Sequence, residues 1–208
     1  IVFNGGAPDI GAVANIARPE SNLTGASGPG TALAGKCLQL FHEMKPSSRA
    51  IGLLLNVPDP YHVPLRRDVE AAARAQGLEL VAIPLNASGE LAAGFDELVR
   101  RGIDGVMAQP TLGLEVAARL ALERRLPAFS FRLEFADAGG LMAYGSDQAD
   151  INRMVANHVV KILKGARPGD LPVQQATHFK LIVNQKTAAA LGFTIPTPFL
   201  ARADEVIE

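Results

Sequence analysis

Two short runs, IGLLL at 51–55 and ELVAI at 79–83, are apolar almost without interruption, and an amphipathic segment follows each. A strand with one wet face alternates apolar and polar residues. A near-continuous run fits a parallel strand covered by helices on both faces. Further short runs of β-branched and aliphatic residues predict strands at roughly 1–3, 22–26, 49–55, 78–84, 104–108, 127–131, 141–143 and 179–183. Between them, apolar residues recur at helical spacing: Leu33, Cys37, Leu40, Phe41 and Met44; Leu65, Val69 and Ala72; Leu91, Phe95 and Leu98; Ile151, Met154, Val155, His158, Val159 and Ile162. Strand–helix–strand repetition of this kind gives a doubly wound α/β fold with parallel sheets flanked by helices.

The length of 208 residues allows one sizeable domain or two small ones, and 48% hydrophobic residues suffice for a core. With 20 basic and 21 acidic residues and no charge run, nothing points to a nucleic-acid partner or an anionic membrane. The single cysteine, Cys37, forbids an internal disulfide and a cysteine metal cluster. No apolar run is long enough to span a bilayer, and no signal peptide is visible at the N-terminus.

Two stretches break the rhythm. RLEFADAGGLMAYGS at 132–146 carries a Gly-Gly pair before a very short strand, and GARPGDLPVQQATH at 165–178 reads as a linker. Both suit places where the chain crosses between lobes. The expected organisation is a first lobe from 1–48 and 140–170 and a second lobe from 49–139 and 171–208.

Motifs for catalysis are thin. GTALAGKC at 30–37 is one residue from a phosphate-binding loop. Cys37 stands where magnesium requires a hydroxyl, and a thiol suits a hard cation poorly. Leu33 and Cys37 also share an apolar helical face, so a helix is expected to begin before Gly35. Asp104 precedes its strand and does not end it. The opening NGGAPDIG has a weak flavour of a dinucleotide turn, but no acidic residue ends the next strand near 26–28. No histidine pair has zinc spacing, His158 reads as a satisfied core residue, and no G-x-S-x-G elbow is present. No catalytic residue, metal or cofactor is assigned.

Binding residues are sought at the carboxyl ends of the strands, where open parallel sheets place their ligands. Asn56, Asp59 and Tyr61 follow one strand, Pro110 and Thr111 another, and Phe131 a third. Tyr144 and Asp147 end the short strand 141–143, Gly6 follows the first strand and Ser27 the second. Phe131, Tyr61 and Tyr144 would wall a ligand, while Asn56, Thr111 and Asp147 would hydrogen-bond it, Asp147 holding an ammonium group. Ser88 and Thr111 stand at expected helix N-caps.

GGLMAYGSD, KILKGARPGDLPV, FKLIVNQKTAAALG and LARADEVIE, with ARPESNLTGAS, LAGK and PSSRAIGLLLN upstream, resemble the ABC-transporter substrate-binding protein family related to tryptophan- and tyrosine-binding lipoproteins. The resemblance covers essentially the whole chain. It implies a two-lobed type I periplasmic-binding-protein-like fold, a small amino-acid-like or aromatic ligand in the interlobe cleft, delivery to an ABC permease in the membrane, and no catalysis. It implies a location in the periplasm or anchored outside the inner membrane. Hinge closure is expected at crossovers near 46–48, 132–140 and 165–171. The family also accounts for the start IVFNGG, a strand lacking the neighbours it needs. Earlier strand–helix units and a signal sequence are expected upstream, leaving the first lobe incomplete here, with apolar edges that invite a homodimer. A sensory or regulatory ligand-binding domain on the same lobes stays open as an alternative, and a nucleotide-dependent enzyme using 30–37 ranks behind both.

Overall fold

The computed structural model describes residues 2–4, 7–19 and 21–208. In chain order the elements are β1 (Val2–Asn4), β2 (Thr24–Ser27), α1 (Thr31–Met44), β3 (Ala50–Asn56), α2 (His62–Ala75), β4 (Glu79–Leu85), α3 (Leu91–Arg100), β5 (Gly105–Ala108) and α4 (Leu114–Glu123). There follow β6 (Phe129–Ser130), α5 (Glu134–Asp137), β7 (Met142–Ser146), α6 (Gln148–Leu163), β8 (Gln174–Gln175), β9 (Phe179–Asn184), α7 (Gln185–Ala190), α8 (Thr197–Leu200) and β10 (Glu205–Ile207).

The eight strands read from the sequence are all present. β8 and β10 were not foreseen, being only two and three residues long. Strands β4-β3-β5 form one set, all parallel, and β10-β9-β7-β6 form another, mixed set. A parallel bridge between Val106 and Ala128 and the bond from Val106 N to Pro127 O, 2.9 Å, join them into one large sheet. Within it β9 runs antiparallel to β7, a departure from all-parallel winding. β4 is an edge strand, which explains the exposed Pro84 and the half-buried face of a run expected to be covered on both sides.

The alternation along β3 divides the core. Ile51, Leu53 and Leu55 point to the face covered by α1 and α2, where Leu65, Phe41 and Phe129 join them. Leu54 points to the other face, against Phe95, Leu98 and Leu120 of α3 and α4. The large sheet is thus the middle of three layers. Cys37, fully buried on α1, donates its thiol to the Ser130 carbonyl at 3.0 Å, and burial pushes its pKa up. GTALAGKC is helical from Thr31 onward, so no phosphate-binding loop exists there.

Strands β1, β2 and β8 form a separate parallel sheet in the order β1-β2-β8, with α6 packed on β1 and β2. Asp147 caps α6 by accepting from Ala149 N at 2.9 Å. His158 is buried, its ring nitrogens each 2.9 Å from a carbonyl oxygen, of Met154 and Pro172, and a neutral ring donates to one of the two. The chain crosses between the sheets at 27–31, 146–148 and 175–179. The sequence reading set these crossings at 46–48, 132–140 and 165–171. They lie elsewhere because α1 and β7, grouped there with the first lobe, bury their apolar residues in the large sheet's core: Leu33, Leu38, Phe41 and Met44 from α1, Met142 from β7.

Asp104 ties the amino ends of β3 and β5 together. Its Oδ2 accepts from Arg49 N at 2.7 Å and Ala50 N at 3.1 Å, and Lys45 Nζ lies 3.4 Å from Oδ1. Burial pushes this carboxyl up, but the two backbone donors and Lys45 outweigh it and hold it below the ordinary carboxylate value. A depressed carboxylate stabilises the fold above its unfolded value, about pH 4, and that stability is lost as pH falls through the lower folded value. Asp104→Ala is expected to cost about 1–2 kcal/mol at pH 7. Urea unfolding of both proteins at descending pH checks this: the gap must narrow towards about pH 2.

Candidate functional site

Between the two sheets lies a cavity of about 410 Å³, within the range of small-molecule sites. The carboxyl ends of β3, β5, β6 and β7 build one side of it, through Asp59, Tyr61, Gln109, Thr111, Phe131, Arg132 and Ser146. The segment after β1 supplies Ala7 and Ile10, the crossing before α1 supplies Gly28, Gly30 and Leu33, and α6 supplies Gln148 and Ile151.

A hydrogen-bonded network fixes the end of the cavity beneath β3 and β5. The Asp59 carboxylate accepts from Tyr61 N at Oδ1, 3.0 Å, and at Oδ2 from Gln109 Nε2, 2.8 Å, and Thr111 Oγ1, 3.0 Å. Gln109 is 1% exposed, and its Oε1 accepts from Asn56 N at 2.9 Å, so its amide can only turn its donors towards Asp59. Thr111 Oγ1 in turn accepts from Asn56 Nδ2 at 3.0 Å. Among the described residues, the hydrogen-bond partners of Asp59 are neutral donors and not a cation.

Tyr61 and Phe131 face each other with ring centroids 6.4 Å apart at 38°. Burial pushes the Tyr61 phenol up, and the carboxylates of Asp9, Asp68 and Asp59 push it further. Asp9 is itself raised, first by burial and then by Asp68, with Arg67 opposing. This end of the cleft is therefore a region of negative potential. At the β6 end, Arg132 contacts Glu134 at 3.1 and 3.3 Å.

Of the residues proposed from sequence, Asp59, Tyr61, Pro110, Thr111 and Phe131 line this one cavity. Asn56 stands behind it, bonded to Thr111. Ser27 is buried beside the lining residue Gly28. Tyr144 lies off the lining, its ring 6.1 Å from that of Phe179. Asp147 also lies off it: Lys180, at 2.9 Å, and then the Ala149 N–H hold its carboxyl below the ordinary value, so its charge is already answered. Gly6 lies outside the described residues. Ser88 and Thr111 both sit in short 3₁₀ turns, and neither side chain caps a helix.

Gln109, Arg132, Ser146 and Gln148 line the cavity without having been proposed as site residues. The first three end strands, a signal that was present in the sequence. Gln148 and Ile151 enter because α6 starts at the cleft, which only the position of the crossing at 146–148 reveals.

Among the described residues no helix is long and apolar enough to cross a membrane. No curated protein matches the chain. Solved structures do. A conserved domain protein from Vibrio cholerae superposes with a TM-score of 0.89 at 25% identity, over 97% of this chain and 68% of its own. An ABC domain from Streptococcus pneumoniae in complex with L-Trp gives 0.87 at 23% identity, over 98% of this chain and 71% of its own. A ligand-free, open substrate-binding protein with adhesive properties from Clostridium difficile gives 0.71 at 22% identity, over 100% of this chain and 70% of its own. The signature of the family described as ABC transporter substrate binding protein runs through residues 1–207. With a family match over all but the last residue, on a two-sheet α/β fold with a cleft at the strand ends, the chain belongs to the ABC transporter substrate-binding protein family.

Proposed function

We propose that this chain is the solute-binding part of an ABC import system and binds an aromatic or amino-acid-like solute in the cleft between its sheets, without chemical change. Asp59 holds the ligand's ammonium group, and Tyr61 and Phe131 wall its ring. The observation that carries this reading is the Asp59 carboxylate, aimed by three neutral donors into a cavity with apolar and aromatic walls. An anion so placed is matched by a cation on the ligand. The negative surroundings of Tyr61 favour the same choice. The L-Trp held by the Streptococcus pneumoniae relative supports the ligand class. Membership of the family supports an extracytoplasmic location and hand-over to a membrane permease.

A dye-based thermal-shift panel of aromatic amino acids, the corresponding amines, aliphatic amino acids and sugars tests this. A ligand at about a hundred times its dissociation constant adds roughly 2.7 kcal/mol of stability. For a chain of this size that is an upward shift of about 5–10 °C. The aromatic amino acids are expected to give it. A shift with sugars alone overturns the reading.

A further inference from the structure

The two sheets do not share an apolar core. Among the described residues, Ala26, Ile151 and Ala176 form the small sheet's own cluster, and the other clusters lie on the large sheet. The sheets are joined by the crossings at 27–31, 146–148 and 175–179. Relative motion is the default for bodies joined in this way. Side chains that reach across the gap therefore help to set how the sheets sit.

Asp9 is such a side chain. It lies in the segment after β1, which is tied to the small sheet where Val173 N donates to Ile16 O at 2.7 Å. Its carboxylate fills the space beside Gly30 at the amino end of α1, a helix of the large sheet's core. A Cβ on Gly30 would collide with both Asp9 oxygens. Ala7 and Ile10, on the same turn as Asp9, line the cleft, so this seat and that wall move together.

The groups facing Asp9 come from α2 and the residue before it. Asp68 accepts from Thr31 Oγ1, and Arg67 Nε lies 2.7 Å from its other oxygen. The bond from Arg67 and then, against burial, that from Thr31 hold the Asp68 carboxyl below its ordinary value. Asp9 is pushed the other way, first by burial and then by Asp68, with Arg67 opposing. The Tyr61 phenol, raised by burial and by Asp9, Asp68 and Asp59, stays protonated. Two carboxylates from opposite sides of the gap are thus driven apart in acidity, and Asp9 is the one that takes a proton.

We propose that Asp9 is a proton-operated latch between the two sheets: as a neutral acid it seats against Gly30 beside Asp68 and holds the cleft shut, and as a carboxylate it withdraws into water and lets the cleft open. The sign follows from the raised value in the seat. Withdrawn, Asp9 titrates at the ordinary carboxylate value, about 4. Seating therefore takes up a proton, and it is favoured as pH falls through the raised value towards the ordinary one. The latch goes beyond the proposed binding and does not depend on which solute is bound.

Distances between spin labels test it without any ligand. Ala14→Cys and Ala71→Cys place exposed labels on the two segments that carry Asp9 and Asp68, while Cys37 is buried. The ratio of short to long distances is expected to be about 5-fold higher at about pH 5 than at about pH 8, the low end of typical coupling between sites. Asp9→Asn in this background is expected to keep the higher ratio at both pH values. Should Asp9→Asn fail to fold, Asp68→Asn carries the test, since removing the repelling charge must shrink the pH response. A distance distribution that ignores pH overturns the inference, as does a pH response unchanged by the substitution tested. A failure of the ligand panel overturns the binding reading and leaves the latch to these distances.

Discussion

Asp59→Asn is expected to weaken an ammonium-bearing ligand by about 30- to 4000-fold, corresponding to the roughly 2–5 kcal/mol lost when one partner of a desolvated, hydrogen-bonded charge pair is removed. The substitution keeps size and shape and changes two things. The negative charge disappears from a cavity whose walls include Leu33, Ile10 and two aromatic rings. One carboxylate oxygen also becomes a donor, facing either Tyr61 N or the Gln109 and Thr111 donors. Since Gln109 Oε1 is committed to Asn56 N, its amide cannot turn over to meet the new donor. The fold therefore loses part of this network, about 1–3 kcal/mol, well within what a stable domain tolerates. Calorimetric affinity with a parallel melting curve separates the two effects. Unchanged affinity would remove Asp59 from the binding role.

Phe41→Ala is expected to be the most damaging single substitution to stability, costing about 3–5 kcal/mol and lowering the melting temperature by roughly 6–20 °C for a chain of this size. Phe41 and Phe129 are stacked with centroids 4.4 Å apart at 16°, and neither is exposed. Their contact joins α1 to the centre of the large sheet. Gly105 is part of the same fit, because a Cβ there would stand 2.3 Å from Phe41 Cζ. Gly105→Ala alone overpacks the site, at about 1–3 kcal/mol. Combined with Phe41→Leu it should cost less than the sum, since the two positions share one space. Urea unfolding of the two single variants and the pair measures this coupling, and strict additivity would show that the ring does not fill the space above Gly105.

Periodicity made much of this fold legible. Leu33, Cys37, Phe41 and Met44 announced α1 because a helix with one buried face must repeat, and IGLLL announced a covered strand because both its faces are apolar. Connectivity was less legible. The same residues that define α1 do not say which sheet they cover; their partners Phe129 and Met107 place the helix on the large sheet, against the expected grouping with the first lobe. β8 escaped notice because two glutamines carry no apolar pattern, and β9 was not foreseen as antiparallel because parallel and antiparallel strands between covered faces look alike in sequence. At the site, strand-end reasoning reached Asp59, Thr111, Tyr61 and Phe131. It overrated Asp147, since a carboxylate before a helix is equally a cap, and nothing local reveals Lys180 from another strand beside it. It reaches Gln109 and Ser146 as strand-end residues without singling them out for the site, because their partners, gained or lacked, come from across the fold.

The position of Tyr61 has an optical consequence. The chain contains no tryptophan and two tyrosines, of which Tyr61 lines the cleft and Tyr144, off the lining, lies against Phe179. Near-ultraviolet emission from this protein therefore comes from two phenols alone, and one of them looks directly at whatever occupies the cavity. A bound indole accepts excitation from Tyr61 and emits at longer wavelength, against a background that the protein itself leaves dark. Occupancy can be read from the unlabelled chain, and Tyr61→Phe removes the donor that lines the cleft and leaves Tyr144 in place.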